Sequence, residues 1–262
     1  TLMDKIAALS PIGVTYKPKK NLSNLISLDL RGEENVKEVI NYYKPRVIFH
    51  LAALTNPEVN ENNKKLAKES NLGITRNIVQ NLPKDCHLIY HSTDKIWNGS
   101  NSFPDEETEP NPDNYHGELK VQCENLIKQN LEKYHILRLS VIHSYSYKEP
   151  ISGLAGPGQF IEKTLDKLSR GEKAEVFSNI KRCFTKKEEL VDLHLQILDD
   201  TNFGIYNVGS PMKSYLKRIE QLSQDLPIKL NNNLIADKGK VEPIEQNLNT
   251  AKVEKTFKIK FT

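Results

Sequence analysis

Short apolar runs alternate with helical spacings through the first two-thirds of the chain, and together they predict its framework. Leu2 to Leu9 reads as a helix and Ile12 to Tyr16 as a short strand. Val36, Val39, Ile40 and Tyr43 repeat at helical spacing over Asn35 to Tyr43. Val47 to Leu51 is then almost wholly apolar, the composition of a strand covered on both faces. Asn63 to Asn81 reads as a helix, His87 to His91 as a second buried strand, Asn114 to Gln129 as a helix and His135 to Leu139 as a strand. That order, with strands lacking a polar face, predicts an α/β fold, a Rossmann-like doubly wound parallel sheet. The last third is less regular. Ser152 to Gly158 reads as a loop, Gln159 to Ser169 as an amphipathic helix, and Ala174 to Phe177 and Ile205 to Val208 as short strands. The expected division is a Rossmann-like domain over residues 1–150 and a small C-terminal substrate lobe over 151–262 with segments crossing back.

Composition narrows the class. The 262 residues leave room for one large domain or two modest ones. Lys+Arg 37 against Asp+Glu 34 gives a formal charge of +3, too balanced for a nucleic-acid scaffold. Mean hydropathy is −0.57, and no run approaches the roughly 20 apolar residues of a membrane span. The opening residues lack the long apolar stretch of a signal peptide, so a cytoplasmic location is expected. Cys86, Cys123 and Cys183 have no paired spacing, which predicts neither a disulfide framework nor a metal site.

Three strand ends carry the candidate chemistry, because open parallel sheets bind ligands at the carboxyl ends of their strands. After the first apolar run come Leu51, Ala52, Ala53 and Thr55, small enough to admit a flat or anionic ligand or simply to permit helix packing. After the second come Ser92, Thr93 and Asp94, two hydroxyls that polarise a carbonyl or cap a local turn. At the start of a helix stand Tyr115 and His116, with Lys120 one turn below His116. His87, His91, His135 and His143 sit on or beside predicted strands, where packed histidines outnumber metal ligands.

These signals belong to longer blocks: Leu28-Asp29-Leu30, PRVIFHLAALTNPE, ESNLGITRNI, HSTDKIWNG, EETEPNPDNYHGELKVQCE, ILRLSVIHS, GIYNVGS and VEPIEQNLNTAKVEK. In this order they resemble the extended short-chain dehydrogenase/reductase family, within it the dTDP-4-dehydrorhamnose reductase-like branch. The resemblance implies an NADP- or NAD-dependent reductase of a nucleotide-linked 4-keto-6-deoxy sugar, as in dTDP-rhamnose biosynthesis. By position, Asp29 and Leu30 would flank the adenine, and Leu51, Ala52, Ala53 and Thr55 would lie under the diphosphate and nicotinamide ribose. Asn71 would support the active-site strand. Thr93 matches the catalytic hydroxyl, with Ser92 beside it, and Lys120 the lysine that holds the ribose. Trp97 is a candidate for the sugar pocket and Arg182 for a nucleotide phosphate. Lys17, with Lys19 and Lys20, suits the 2′-phosphate of NADP. A helix-mediated homodimer would also fit the branch.

Two departures stand out. The branch places its proton-donating tyrosine where this chain has His116, and Tyr115, one residue earlier, lies about 100° round the helix. Nothing ahead of Gly13 matches the first strand and the glycine-rich phosphate turn of the family, so the Rossmann-like domain is expected to be incomplete at its front, whether the chain is naturally shortened or the sequence is cut. Both leave an alternative open: a non-catalytic relative that binds a nucleotide or a partner protein, as the methionine adenosyltransferase regulatory subunit of this branch does. An epimerase or dehydratase of the superfamily is a third.

Overall fold

Each apolar run identified above becomes a strand, and the amphipathic segments between them become the helices that cover it. The computed structural model describes residues 2–16, 24–144, 157–224, 226, 230, 233–236 and 244–262. They divide into two compact units that interleave along the sequence, residues 1–96, 110–137 and 191–205 in one and 97–109, 138–190 and 206–262 in the other.

In the first unit, α1 (Leu2–Lys5) and a 3-10 turn (Ala7–Leu9) replace the single helix expected there. β1 (Gly13–Thr15) and β2 (Leu25–Ser27) pair in parallel as a sheet of their own. α2 (Glu33–Tyr43) follows, with Glu33 and Glu34 in its first turn complementing the helix dipole. Next come β3 (Val47–His50), α3 (Pro57–Asn62), α4 (Lys64–Lys68) and α5 (Ile74–Asn81). A π-turn over Glu69–Gly73 joins the last two, so the predicted helix over residues 63–81 is interrupted at Asn71. β4 (His87–Thr93), α6 (Tyr115–Asn130) and β5 (Tyr134–Leu139) complete this stretch.

The rest of the chain supplies β6 (Val141–His143), α7 (Pro157–Ser169), β7 (Ala174–Val176), β8 (Ile180–Arg182), β9 (Phe184–Lys186) and α8 (Lys187–Ile197). After these come β10 (Gly204–Val208), β11 (Lys213–Ser214), α9 (Tyr215–Gln224), β12 (Leu234–Ala236), β13 (Ile244–Gln246) and α10 (Ala251–Phe257). The main sheet has the order β10-β5-β4-β3, with β3 and β4 parallel in the register Val47↔His87. β3, the most uniformly apolar segment, therefore lies at an edge of that sheet.

Alternation along β4 divides the packing of the first unit. Leu88 and Tyr90 face Val36 and Ile40 of α2, Ile74 and Ile78 of α5, and Leu119, Cys123 and Ile127 of α6 in one apolar cluster. His91 faces the other way, where its ring stacks on His194 of α8, which also meets Phe49 edge-on. The second unit has its own core, in which Ile161 and Leu165 of α7 and Ile219 and Leu222 of α9 pack around Val176, Phe184 and Tyr215. Of the predicted loop Ser152 to Gly158, residues 152–156 lie outside the described residues, and Pro157 and Gly158 belong instead to the start of α7.

Candidate functional site

The carboxyl ends of β3 and β4 and the first turns of α6 meet in the first unit. The loop Leu51–Asn56 leaves β3 and is clamped at Leu54. Asn71 accepts from Leu54 N at 2.9 Å and returns its amide to Leu54 O at 3.3 Å. Asn60, fully buried, donates to Leu54 O at 3.0 Å and to Asn56 O at 2.6 Å, and the two asparagines bond each other at 3.1 Å. The π-turn sets Asn71 at this point, a common use of such bulges. Leu51 projects 50% exposed, while Ala52 and Ala53 are half-buried.

β4 runs two residues further than its apolar pattern predicts, so Ser92 and Thr93 lie on the strand and face opposite ways. Ser92 Oγ turns inward and donates to buried Glu124 Oε1 at 2.5 Å. Thr93 Oγ1 stays at the strand end, where it accepts from Lys95 N at 3.2 Å and starts the 3-10 turn Asp94–Ile96. The two hydroxyls therefore do not converge on one point.

Asn114 caps α6 by accepting from Gly117 N at 2.9 Å. One residue of rotation separates Tyr115 from His116. Tyr115 carries its ring beneath Lys64 Nζ, 4.9 Å away, and its N–H donates to Glu61. His116 is buried, with no hydrogen-bond partner at Nδ1. Burial first, then the charge of Lys120, lowers its pKa to about 4, against the opposing backbone hydrogen bond at Leu54. The ring is neutral at pH 7. Lys120 is 4% exposed, donates to His91 O at 2.6 Å and lies over the Tyr90 ring at 4.5 Å. Burial brings its pKa down to about 8, partly opposed by Cys123 and Glu124.

The ends of β1 and β2 form a second part of the site. Asp29 is held in a fork by Arg31, with Nε at 2.9 Å from Oδ1 and Nη2 at 2.6 Å from Oδ2. Arg31 also covers the Tyr16 ring at 5.4 Å, and its hydrogen bond keeps the Asp29 carboxyl below the usual range. Asn77 fixes this turn by donating to Leu30 O and Arg31 O, both at 3.0 Å. Lys17, Lys19 and Lys20 lie outside the described residues. Trp97 and Arg182 belong to the second unit. Trp97 is 1% exposed beneath the Arg138 guanidinium at 4.9 Å, and Arg182 is 7% exposed on β8.

Arg31, Asn60, Asn77 and Glu124 were not singled out by sequence pattern. Glu124 alone left a signal there, falling one helical turn after Lys120. Among the described residues, no His, Cys, Asp or Glu cluster is placed to hold a metal, and no helix is long and apolar enough to cross a membrane.

The residues at these strand ends have the chemistry of ribose and adenine partners, a carboxylate and an ammonium among apolar and small side chains. Both charges are engaged within the chain, Asp29 with Arg31 and Lys120 with His91 O. Leu51 is exposed and the alanines that follow it are small, and Asp29, Leu30 and Arg31 stand at the ends of β1 and β2. The first turn of α2 holds Glu33 and Glu34, whose charge opposes a diphosphate there.

A parallel sheet covered by helices defines a doubly wound α/β protein. More particularly, the chain belongs to the RmlD substrate binding domain family, which it matches over residues 6–222. It is similar to methionine adenosyltransferase 2 subunit beta of Xenopus laevis, 32% identical over 117 residues, 44% of this chain and 35% of that protein. The chain thus spans about a third of the length of that relative. It also resembles the probable low-salt glycan biosynthesis reductase Agl14 of Haloferax volcanii, 24% identical over 188 residues, 71% of this chain and 61% of that one. Among solved structures, a hypothetical dTDP-4-dehydrorhamnose reductase from Sulfolobus tokodaii superposes with a TM-score of 0.79 at 20% identity, covering 99% of this chain and 91% of the other. The dTDP-4-dehydrorhamnose reductase of Bacillus anthracis, in complex with NADP, gives 0.75 at 20% identity over 89% and 81%.

Proposed function

We propose that this chain is a nicotinamide-dependent reductase acting on the carbonyl of a nucleotide-linked 4-keto-6-deoxy sugar. Lys120 carries this reading, a buried charged side chain that donates to His91 O near the end of β4 and stands one turn below His116. A buried ammonium is costly unless its charge is used or paired. The relatives support the class, since one is named as a reductase and another was solved with NADP.

Asp29, Leu30 and Arg31 would hold the adenosine end of NADP or NAD, and Leu51, Ala52, Ala53, Thr55 and Lys120 the nicotinamide ribose, with Asn71 fixing the loop. When bound, the dinucleotide supplies the hydride. Thr93 would donate a hydrogen bond to the substrate carbonyl oxygen, and the Lys120 ammonium, with a pKa of about 8, would stabilise the alkoxide as it forms and supply its proton, regained from solvent. His116, neutral at pH 7, is a hydrogen-bond donor of the kind a polarised carbonyl requires, while its imidazolium is only about one part in a thousand. Tyr115 and Ser92 stand outside this group.

The test is NADPH consumption with a dTDP-linked 4-keto-6-deoxy sugar. Lys120→Met and Thr93→Val should each lower kcat/KM roughly a hundredfold. The rate should fall as pH rises through about 8, where Lys120 loses its proton. Activity indifferent to both substitutions would overturn the assignment. The neutral His116 favours one other reading, a nucleotide- or partner-binding protein without turnover, akin to the methionine adenosyltransferase subunit. That reading predicts thermal stabilisation by a partner protein and none by NADPH.

A further inference from the structure

Helix α6 is joined to β4 at two successive residues of the strand. Lys120 Nζ donates to His91 O at 2.6 Å, and Ser92 Oγ donates to Glu124 Oε1 at 2.5 Å. Lys120 and Glu124 stand four residues apart on α6, hence on one face of the helix. That face is buried, with Lys120 4% and Glu124 1% exposed. A lysine and a glutamate are thus taken out of water together, against neighbouring residues of one strand.

Helix stability does not account for the pair. A glutamate four residues before a lysine favours a helix, and this chain has the reverse order. Removing either charge from water is costly, and the cost is offset only when the opposite charge is close and the remaining atoms are hydrogen-bonded. Ser92 supplies that hydrogen bond to Glu124, and His91 O accepts the one from Lys120.

The other groups around Lys120 bring no negative charge. On β4 the Tyr90 ring lies 4.5 Å from its Nζ, and burial holds that phenol well above its usual pKa. Burial keeps His91 of β4, His50 of β3 and His116 of α6 neutral at pH 7, and the charge of Lys120 adds to each shift. Cys123 and Glu124, both on α6, oppose the effect of burial on Lys120, whose pKa stays at about 8. A thiol is mostly protonated at pH 7. The standing negative charge is therefore the carboxylate of Glu124.

We infer that Glu124 is the fixed counter-ion of Lys120, a positioning residue that keeps the ammonium in the site, and that Ser92 holds its carboxylate in place. Both act through Lys120 and not on the substrate. The inference deepens the reductase reading and rests on it for the effect on turnover.

The experiment is a pH titration of the Lys120 side chain by carbon–nitrogen correlation in the whole chain labelled at lysine, the signal being assigned by its loss in Lys120→Met. Glu124→Gln keeps an acceptor for Ser92 and removes the charge, so the Lys120 midpoint should fall by about one pH unit or more. Glu124→Asp keeps the charge and should recover at least about half of that shift, and Cys123→Ala should leave the midpoint nearly in place. With NADPH and a dTDP-linked 4-keto-6-deoxy sugar, the falling limb of the pH–rate profile should move down with the midpoint in Glu124→Gln. A merely structural role would lower the rate equally at every pH. Should Glu124→Gln not fold, the unsubstituted chain labelled at glutamate answers instead. The Glu124 carboxyl carbon should shift as Lys120 loses its proton, and that inflection should vanish in Lys120→Met. A Lys120 midpoint unmoved by Glu124→Gln, an equal fall in Cys123→Ala, or a Glu124 signal indifferent to Lys120 would each overturn the inference. A midpoint that falls as expected, in a chain that consumes no NADPH, upholds the counter-ion and overturns the reductase reading alone.

Discussion

Lowering the pH from 7 to 5 is expected to remove most of the chain's stability, through histidines that are folded in neutral form. His50 and His143 have pKa values near 3, and His87 and His116 near 4, with burial the largest cause in each. A neighbouring cation adds to the shift in three of them: Lys120 beside His50 and His116, and Arg218 beside His143. Free histidine titrates near 6.5, so between these values the unfolded chain binds protons that the folded chain refuses. The contribution of each is complete above about pH 6.5 and is lost as the pH falls toward 4 and then 3. At pH 5 each histidine costs on the order of 2 kcal/mol, and four together rival the roughly 5–15 kcal/mol that holds a domain folded. Urea unfolding followed by circular dichroism should show the midpoint falling steeply between pH 7 and pH 5. A midpoint that stayed level across that range would refute the neutral-histidine account.

Gly117→Ala should be the most damaging small substitution in the first unit. A Cβ at this position would overlap the Lys95 carbonyl oxygen and lie 2.9 Å from Pro112 Cβ. Both obstacles are close-packed neighbours, and one is backbone, so α6 itself must shift. Overpacking of this kind costs about 1–3 kcal/mol or more. The shift would carry His116 and Lys120 away from the turn that follows Thr93. Activity should therefore fall further than stability alone accounts for. Gly73→Ala is the control, since its Cβ would meet only Lys68 O, at 3.6 Å. Comparing thermal midpoint and turnover for the two variants checks the claim, and equal behaviour would contradict it.

The framework of the first unit was legible because burial leaves a pattern. Val47–His50 and the start of β4 are apolar runs, and α2 shows its buried Val36 and Ile40 at helical spacing. The position of β3 at a sheet edge was not legible, because composition records how a strand is covered and not which strand lies beside it. The extension of β4 through Ser92 and Thr93 was hidden for a similar reason. Small hydroxyl residues carry no period, so the opposed directions of the two side chains emerge only with the strand. Asn60, Asn71 and Asn77 act through backbone oxygens brought near by folding, and an asparagine on a helix looks the same whether or not it reaches one. Arg31 conveys the same lesson about charge. It reads as an ordinary surface residue until the turn folds Asp29 into its fork.

Binding of a nicotinamide dinucleotide at the strand ends of the first unit is tested most directly by calorimetric titration of NADPH into the chain and into its Lys120→Met variant. The geometry predicts saturable binding at one site, weakened about tenfold by the substitution. Absence of saturable binding, or equal affinity in both proteins, would contradict it.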